Sequence, residues 1–209
     1  NYLGFPTGIS GQALAGRATT QALKFGAKML IAQGARKLAC EKRPYAIEID
    51  GDVCVPARTV IIATGAKYRK PSLESLMEFE GAGVYYGATY MEAQLCAGNE
   101  IVIIGGGNSA GQAAVFLAQT ATRVNVLVRS GGLAQSMSRY LSRRIEDSPN
   151  IALHTHTEVV AVEGGDHLET VRWQNRQTGN SETRNIRHVF VMTGAVPSTG
   201  WLDGCIALD

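Results

Sequence analysis

Three consecutive glycines stand directly after a short apolar run in this 209-residue chain, and few folds tolerate that arrangement. The run Ile101 to Ile104 is β-branched and predicts a buried strand, while the residues after the glycines predict a helix from Ser109 to about Thr120. The junction matches G-x-G-x-x-G/A, in which backbone N–H groups at a helix start face the pyrophosphate of a dinucleotide. The residues predicted to serve this purpose are Gly105, Gly107, Asn108, Ser109 and Ala110.

The geometry of the turn explains why particular residue types are needed at three positions of this pattern. Gly105 permits a tight turn at the strand end, Gly107 leaves room for a phosphate beside the backbone, and Ala110 lets the helix pack close to the strand. A second strand is predicted from Val124 to Val128, which completes a βαβ unit of a parallel sheet. An ordinary tight turn between a strand and a helix is the alternative interpretation.

The residue that follows the second strand of such a unit selects the dinucleotide. A carboxylate about 20 residues after the first glycine would accept a hydrogen bond from the ribose 2′-hydroxyl of NAD(H). This chain instead has Arg129 followed by Ser130, and a guanidinium favours the 2′-phosphate of NADP(H). The sequence therefore predicts NADPH as the cofactor, with Arg139 as a second phosphate candidate. A solvated arginine at a strand end is the alternative.

The sequence before this unit predicts a helix and then a small sheet. Ser10 can cap a helix that reaches about Phe25. Residues 35–64 are typical of short strands, the last of which, Thr59 to Ala63, is apolar enough to be buried. Residues 66–84 look like a connection between domains.

The sequence after the unit predicts one more helix and several strands. Ser136 can cap the helix, whose apolar residues recur with helical spacing and which ends before Pro149. The strands are predicted at residues 151–153, 159–162, 170–173 and 188–192.

Composition limits the possible functions. Hydrophobic residues make up 45% of the chain and charged residues 18%, which is too apolar for a disordered segment. The formal net charge of +2 gives no indication of a nucleic-acid partner. No apolar run approaches the roughly 20 residues that a membrane span needs, and no signal peptide is visible, so we expect no membrane partner and a cytoplasmic location. Since the sequence has no initiator methionine, we expect an interior piece of a longer protein.

The four cysteines and the paired histidines have structural interpretations. Cys40, Cys54, Cys96 and Cys205 fit neither a C-x-x-C pair nor a zinc site, and we expect free, buried thiols. A bridge between Cys40 and Cys54 remains an open alternative. His154 and His156 lack further ligands at metal-binding spacing, so we predict no metal site.

Two similar strand ends frame the dinucleotide pattern, and the order of all these segments resembles the thioredoxin reductase family of flavin-dependent oxidoreductases. Thr64-Gly65 resembles the family's first crossing out of its flavin domain, and Thr193-Gly194 resembles the crossing back. The initial segment, which begins with Asn1 and Tyr2, resembles the family's segment beside the flavin. The likeness runs through essentially the whole chain.

This resemblance implies an α/β fold with a Rossmann-like, three-layer NAD(P)H-binding domain, made of a parallel sheet and a β-meander and flanked by incomplete pieces of an FAD-binding domain of similar fold. The implied domains are residues 1–84 for a partial FAD segment and linker, 85–194 for the NADPH-binding domain, and 195–209 for the return into the FAD domain. The family's first G-x-G-x-x-G strand and its Gly-Asp motif are absent, so FAD is expected only in the full-length protein. The implied contacts are Asn1, Tyr2, Thr64 and Gly65 for FAD, and Thr193 and Gly194 for NADPH.

One departure from the family pattern affects the mechanism. The family's redox C-A-T-C is replaced by Gly87-Ala88-Thr89-Tyr90, so hydride passed to the flavin cannot continue to an internal disulfide there. We interpret Cys96 as structural and predict no catalytic residue in this chain.

The electron acceptor is therefore open. The full-length protein could resemble the disulfide-free branch that reduces ferredoxin or flavodoxin, or the reductase-like proteins fused to a cyclic-nucleotide-binding or other regulatory domain, which residues 90–96 and 136–141 favour. A non-catalytic NADP(H)-binding redox sensor is a third interpretation, and the family suggests a homodimer.

Overall fold

The computed structural model describes residues 4–5, 8–202 and 204–208, and the chain divides into two compact units. The first unit is discontinuous and contains residues 1–64 and 199–209. The second unit contains residues 65–198 and is therefore inserted into the first one. The predicted Asn1 and Tyr2 contacts lie outside the described residues.

The first unit begins with the predicted helix, α1 (Gly11–Lys24), whose first turn is capped because the Ser10 hydroxyl accepts a hydrogen bond from the Ala13 N–H. A three-stranded antiparallel sheet follows in the order β1-β2-β3, with a short 3₁₀ helix, Gly200–Leu202, in the returning segment. These strands confirm the predicted meander. They are β1 (Ala35–Ala39), β2 (Tyr45–Ile49) and β3 (Val53–Ala57).

The strand predicted from Thr59 to Ala63 is absent from the described structure. This segment is irregular, and the Ile61 side chain is 93% exposed. An apolar run becomes a strand only where neighbouring strands accept its hydrogen bonds and cover its faces. No described strand of the chain pairs with this segment, so the prediction is wrong for that reason.

The second unit has a parallel sheet at its centre, in the order β5-β12-β6-β7-β8. An antiparallel sheet, β9-β10-β11, and a two-stranded pair, β4 with β13, accompany it. Its strands are β4 (Ala66–Tyr68), β5 (Val84–Tyr85), β6 (Glu100–Ile104), β7 (Arg123–Leu127), β8 (Ile151–His154), β9 (Thr157–Gly164), β10 (Leu168–Asn175), β11 (Ser181–Arg184), β12 (Val189–Val191) and β13 (Ala195–Pro197). Its helices are α2 (Ser75–Glu78), α3 (Tyr90–Leu95), α4 (Asn108–Leu117) and α5 (Arg139–Glu146).

Side chains along β6 point alternately to the two faces of the parallel sheet, and this explains how the second unit forms three layers. Ile101 and Ile103 pack in the core on the side of helices α4 and α5, whereas Val102 packs in a second core with the antiparallel sheet. Because both faces of the strand are covered, its sequence is a continuous apolar run. The Rossmann-like α/β fold class predicted from the sequence is confirmed, with the antiparallel sheet as the third layer.

The domain boundaries differ from those that the sequence suggested. Strand β4 pairs with β13, and the Ser198 N–H donates to the carbonyl of Gly65 over 2.9 Å. Residues 66–84 therefore belong to the second unit, although they were predicted to be a connection. The predicted boundaries at 84–85 and 194–195 both fall within that compact unit. None of the described helices has the length and apolar character needed to cross a bilayer.

The cysteines also differ from the expectation of four free, buried thiols. Cys40 and Cys205 are joined by a disulfide, and their Cα atoms are 5.7 Å apart. Cys54 is free but exposed on β3, and only Cys96 is both free and buried. The sequence could not reveal this pairing, because 165 residues separate the two cysteines and the return of the chain to β1 brings them together.

Two half-buried histidines in the second unit connect its stability with pH. Burial lowers the pKa of His154 and of His188, with Arg187 as a smaller cause at His188. The Asn125 amide nitrogen donates to Glu100, so the Asn125 oxygen faces His154 and accepts from its Nε2–H. His188 stacks on Tyr85, but its buried Nδ1 has no hydrogen-bond partner among the described residues.

We therefore expect His188→Phe to make unfolding less dependent on pH. A lowered folded-state pKa means that stability is fully present above the unfolded-state pKa of about 6.5 and falls as the pH drops toward the folded-state pKa. Phenylalanine keeps the ring contact, removes the unpartnered nitrogen, and should leave stability within about 1 kcal/mol of the unchanged protein at pH ~7.5. Urea unfolding at pH ~7.5 and ~5.5 measures the effect, with exposed His167→Asn as the control. An unchanged pH dependence would contradict this expectation.

Candidate functional site

The glycine turn lies at the carboxyl end of β6, and its first glycine is required by the backbone. Gly105 has a φ of +143°, and its N–H donates to the carbonyl of Leu127 on the neighbouring strand. A Cβ atom at Gly105 would lie only 2.4 Å from the carbonyl oxygen of Met192. Only glycine fits here, because it tolerates both this φ and the close approach of the chain that follows β12.

Gly107 occupies a different environment, although it belongs to the same turn. It precedes helix α4 as the N-cap residue, with an ordinary φ of −89°. A Cβ atom at Gly107 would meet a single atom within 4 Å, the carbonyl oxygen of Ser136 at 3.9 Å. No other described residue fills this space, so the absence of a side chain at Gly107 keeps the space beside the turn open.

The start of α4 can therefore receive an anion. No described side chain caps this end of the helix, and the first N–H groups of an α-helix have no partner within the helix. The helix dipole adds a partial positive charge at this end. Ser109 is exposed here, whereas Ala110 is fully buried and packs in the core, as its predicted role requires.

A loop that follows β7 is held beside the glycine turn by two hydrogen bonds. The Ser136 hydroxyl donates to the carbonyl of Gly106 over 2.8 Å, and the Asn108 side-chain oxygen accepts from the Ser138 N–H over 2.8 Å. Asn108 was predicted as a cofactor contact, and its side chain is already used to hold this loop. Ser136 was predicted as a helix cap, but α5 begins at Arg139 and Ser138 is its N-cap.

Arg129 begins this loop and is exposed. It forms no ion pair with any described residue, so the guanidinium is available to an anion. The Ser130 hydroxyl donates to the carbonyl of Gly132 over 2.8 Å, which shapes the loop locally. Arg139 is also exposed, at the first turn of α5.

The two Thr-Gly pairs lie directly before the paired strands β4 and β13. The Thr193 hydroxyl donates to the carbonyl of Arg69, and the Gly194 carbonyl accepts from the Arg69 N–H, both over 3.0 Å. Gly194 and Gly65 both have positive φ, at +90° and +67°. Thr64 is the last residue before the second unit and is exposed. The sequence predicted these residues as cofactor contacts, and in the structure Thr193 and Gly194 lie between β12 and β13, whereas Thr64 and Gly65 lie directly before β4.

Residues 87–90, which were expected at the position of the family's redox motif, lead into helix α3. Thr89 and Glu92 form a capping box, and Tyr90 is 72% exposed on the first turn. Cys96 is fully buried at the other end of this helix, and burial raises the pKa of its thiol. A raised pKa reduces the thiolate fraction, which agrees with a structural role. Across the described ranges, no three His, Cys, Asp or Glu residues are grouped as metal ligands would be.

The parallel sheet and the open glycine turn at its carboxyl edge define a Rossmann-like protein. Residues 11–208 match the pyridine nucleotide-disulphide oxidoreductase family, and the chain belongs to that family.

Individual relatives agree with this assignment. The chain is 30% identical to an alkyl hydroperoxide reductase F protein of Pseudomonas putida, over 82% of this chain and 32% of that protein. It is 29% identical to an NADH dehydrogenase of Bacillus subtilis, over 83% of this chain and 33% of that protein. The chain thus spans about one third of the length of these curated relatives.

Solved structures show the same fold. Thioredoxin reductase from Giardia duodenalis superposes with a TM-score of 0.77 at 25% identity, covering 97% of this chain and 65% of that one. Thioredoxin reductase from T. acidophilum superposes with a TM-score of 0.75 at 27% identity, covering 100% of this chain and 67% of that one. The resemblance identified from the sequence is confirmed at the level of family and fold.

Proposed function

We propose that this chain is the NADPH-binding portion of a flavin-dependent oxidoreductase that passes hydride from NADPH to FAD. The observation that carries the proposal is the open space at Gly107 beside an uncapped helix start, in a unit of the matching family. A pyrophosphate would fit there because backbone N–H groups and the helix dipole favour negative charge. The full-length protein would act in the cytoplasm, with FAD supplying the redox chemistry.

The described residues support the NADPH side more directly than the FAD side. Two of the four predicted FAD contacts, Asn1 and Tyr2, lie outside the described residues, and Gly65 has a positive φ directly before β4. We therefore propose FAD because of the family to which the chain belongs, and not because of contacts described in this chain. In this proposal the glycine turn holds the pyrophosphate, and Arg129 binds the 2′-phosphate of NADPH.

We expect Arg129→Ala to remove most of a preference for NADPH over NADH. One charge-assisted contact of about 1.5–3 kcal/mol corresponds to roughly a tenfold to hundredfold preference, so NADPH should weaken by that factor while NADH changes little. Dissociation constants of both dinucleotides for the full-length protein measure this. Arg143→Ala, which removes another exposed arginine further along α5, is the matched control.

The name of one relative shows why the two dissociation constants should be compared. The Bacillus subtilis protein is named an NADH dehydrogenase, whereas Arg129 favours the phosphate that distinguishes NADPH from NADH. Equal dissociation constants for the two dinucleotides in the unchanged protein would contradict the NADPH assignment, because the protein would then not discriminate between NADPH and NADH.

The full-length protein tests the proposal in one experiment. Anaerobic addition of NADPH should bleach the flavin absorbance, and subsequent addition of an acceptor should restore it. Ferredoxin, flavodoxin, quinone, oxygen and thioredoxin are compared as acceptors, because Gly87 and Tyr90 cannot form the dithiol that a thioredoxin reductase uses. NADPH binding without any flavin bleaching would favour the redox sensor, which is the second candidate function.

A further inference from the structure

Cys40 and Cys205 are placed at the point where the two segments of the first unit meet. Cys40 comes directly after β1, and Cys205 follows the 3₁₀ helix of the returning segment, which packs against β1. Both residues are half-buried, and their Cα separation of 5.7 Å lies in the range that disulfides require. The two sulfurs can therefore interconvert between a dithiol and a disulfide without a large backbone movement.

The core of the first unit is small, so the Cys40–Cys205 disulfide is important for holding its two segments together. Its buried apolar residues in the described part are Leu38, Ile49 and Leu202, and Leu202 belongs to the returning segment. Two backbone hydrogen bonds shape that segment, from Leu202 N to Thr199 O and from Cys205 N to Leu202 O. Beyond such local contacts, the covalent bond is the strongest tie between the two segments.

We infer that Cys40 and Cys205 form a redox-sensitive clasp, a reversible modification site that fastens the returning segment to β1. The inference does not depend on the proposed function. In the closing reaction, one cysteine thiolate attacks a low-molecular-weight disulfide such as glutathione disulfide and releases one glutathione thiolate. The second cysteine then displaces the other glutathione, so the protein loses two electrons and glutathione disulfide gains them. A dithiol reductant reverses both steps.

The other two cysteines do not compete for this role. Cys54 lies exposed on β3, opposite Glu48 of β2, and has no sulfur partner in the described chain. Cys96 is buried in the second unit, and its raised pKa makes it a poor nucleophile. The clasp therefore predicts one specific disulfide among the three alternatives open to Cys40.

Peptide mapping tests the connectivity in the full-length protein. The protein is equilibrated with glutathione disulfide or with dithiothreitol, alkylated, and digested with chymotrypsin before mass spectrometry. We expect a linked peptide pair containing Cys40 and Cys205 after oxidation, and two alkylated peptides after reduction. Cys54→Ser, the matched control, should leave the linked pair unchanged, whereas Cys205→Ser should abolish it. A Cys40–Cys54 linkage, or alkylated Cys40 after oxidation, would overturn the proposal.

Hydrogen exchange tests whether the bond acts as a clasp and needs no variant. On reduction, we expect exchange at the Leu202 and Cys205 amides to accelerate at least about tenfold, which corresponds to about 1.4 kcal/mol of local stability. Amides of β6 in the second unit are the internal reference and should not change. Equal exchange of the two amides in both redox states would show that the disulfide does not fasten this segment.

Discussion

Replacing Gly107 with valine should weaken NADPH binding at least about a hundredfold, or about 2.7 kcal/mol, while the second unit stays folded. The backbone at Gly107 has an ordinary φ, and a Cβ atom there would meet no protein atom closer than 3.9 Å. A branched side chain would instead occupy the space that the pyrophosphate needs. NADPH titration and thermal unfolding of the full-length protein measure the two parts of this expectation.

Gly165 provides a matched control for that substitution. It is an exposed glycine between β9 and β10 with open space around it and no positive φ, so Gly165→Val should leave NADPH binding unchanged. Gly107→Ala should weaken binding less than Gly107→Val does, because its side chain is smaller. Normal NADPH affinity in Gly107→Val would contradict the interpretation of the glycine turn as a phosphate site.

Gly105→Ala should destabilise the second unit by about 3–5 kcal/mol, although the substitution adds only one methyl group. Alanine is strained at a φ of +143°, and the added carbon would overlap the Met192 carbonyl at 2.4 Å. Urea unfolding of the full-length protein, followed through the second unit, gives the change in free energy. The loss of folding should appear without any dinucleotide present, which distinguishes Gly105 from Gly107.

Gly106→Ala is the control for the expected destabilisation by Gly105→Ala. The added carbon would lie 3.2 Å from Cγ1 of Val128, a less severe contact than the one at Gly105, and the backbone φ is ordinary. We therefore expect a cost below about 1.5 kcal/mol. A Gly105→Ala protein as stable as Gly106→Ala would show that the turn can relax away from Met192.

The sequence predicted the βαβ unit well because local signals and packing agree there. The apolar run of β6, the glycine turn and the apolar face of α4 each indicate the same structure, and both faces of the strand are covered. The Thr59–Ala63 run carries an equally strong local signal, but no described strand pairs with it. Local pattern is thus sufficient only where tertiary partners are present.

The candidate site shows a related limit. The sequence predicted the glycines from the geometry of one turn, and Arg129 from its place after the second strand of the βαβ unit. It could not reveal that Ser136 and Asn108 hold the Arg129 loop, since both hydrogen bonds join residues 30 positions apart. A serine that precedes a helix-like pattern looks like a cap, and only the fold distinguishes it from a loop anchor.

The pairing of β4 with β13 holds the two ends of the second unit close together. Because Gly65 and Ser198 are hydrogen-bonded, the folded second unit joins its two ends by a short bridge. The ring closed by Cys40 and Cys205 spans 165 residues in sequence, yet when the first unit unfolds alone, only the roughly 30 residues of the ring that lie outside the second unit gain freedom. Loop-closure entropy for about 30 residues is about 1.5 kcal/mol smaller than for 165. A ligand that keeps the second unit folded therefore changes the stability of the first through chain connectivity alone.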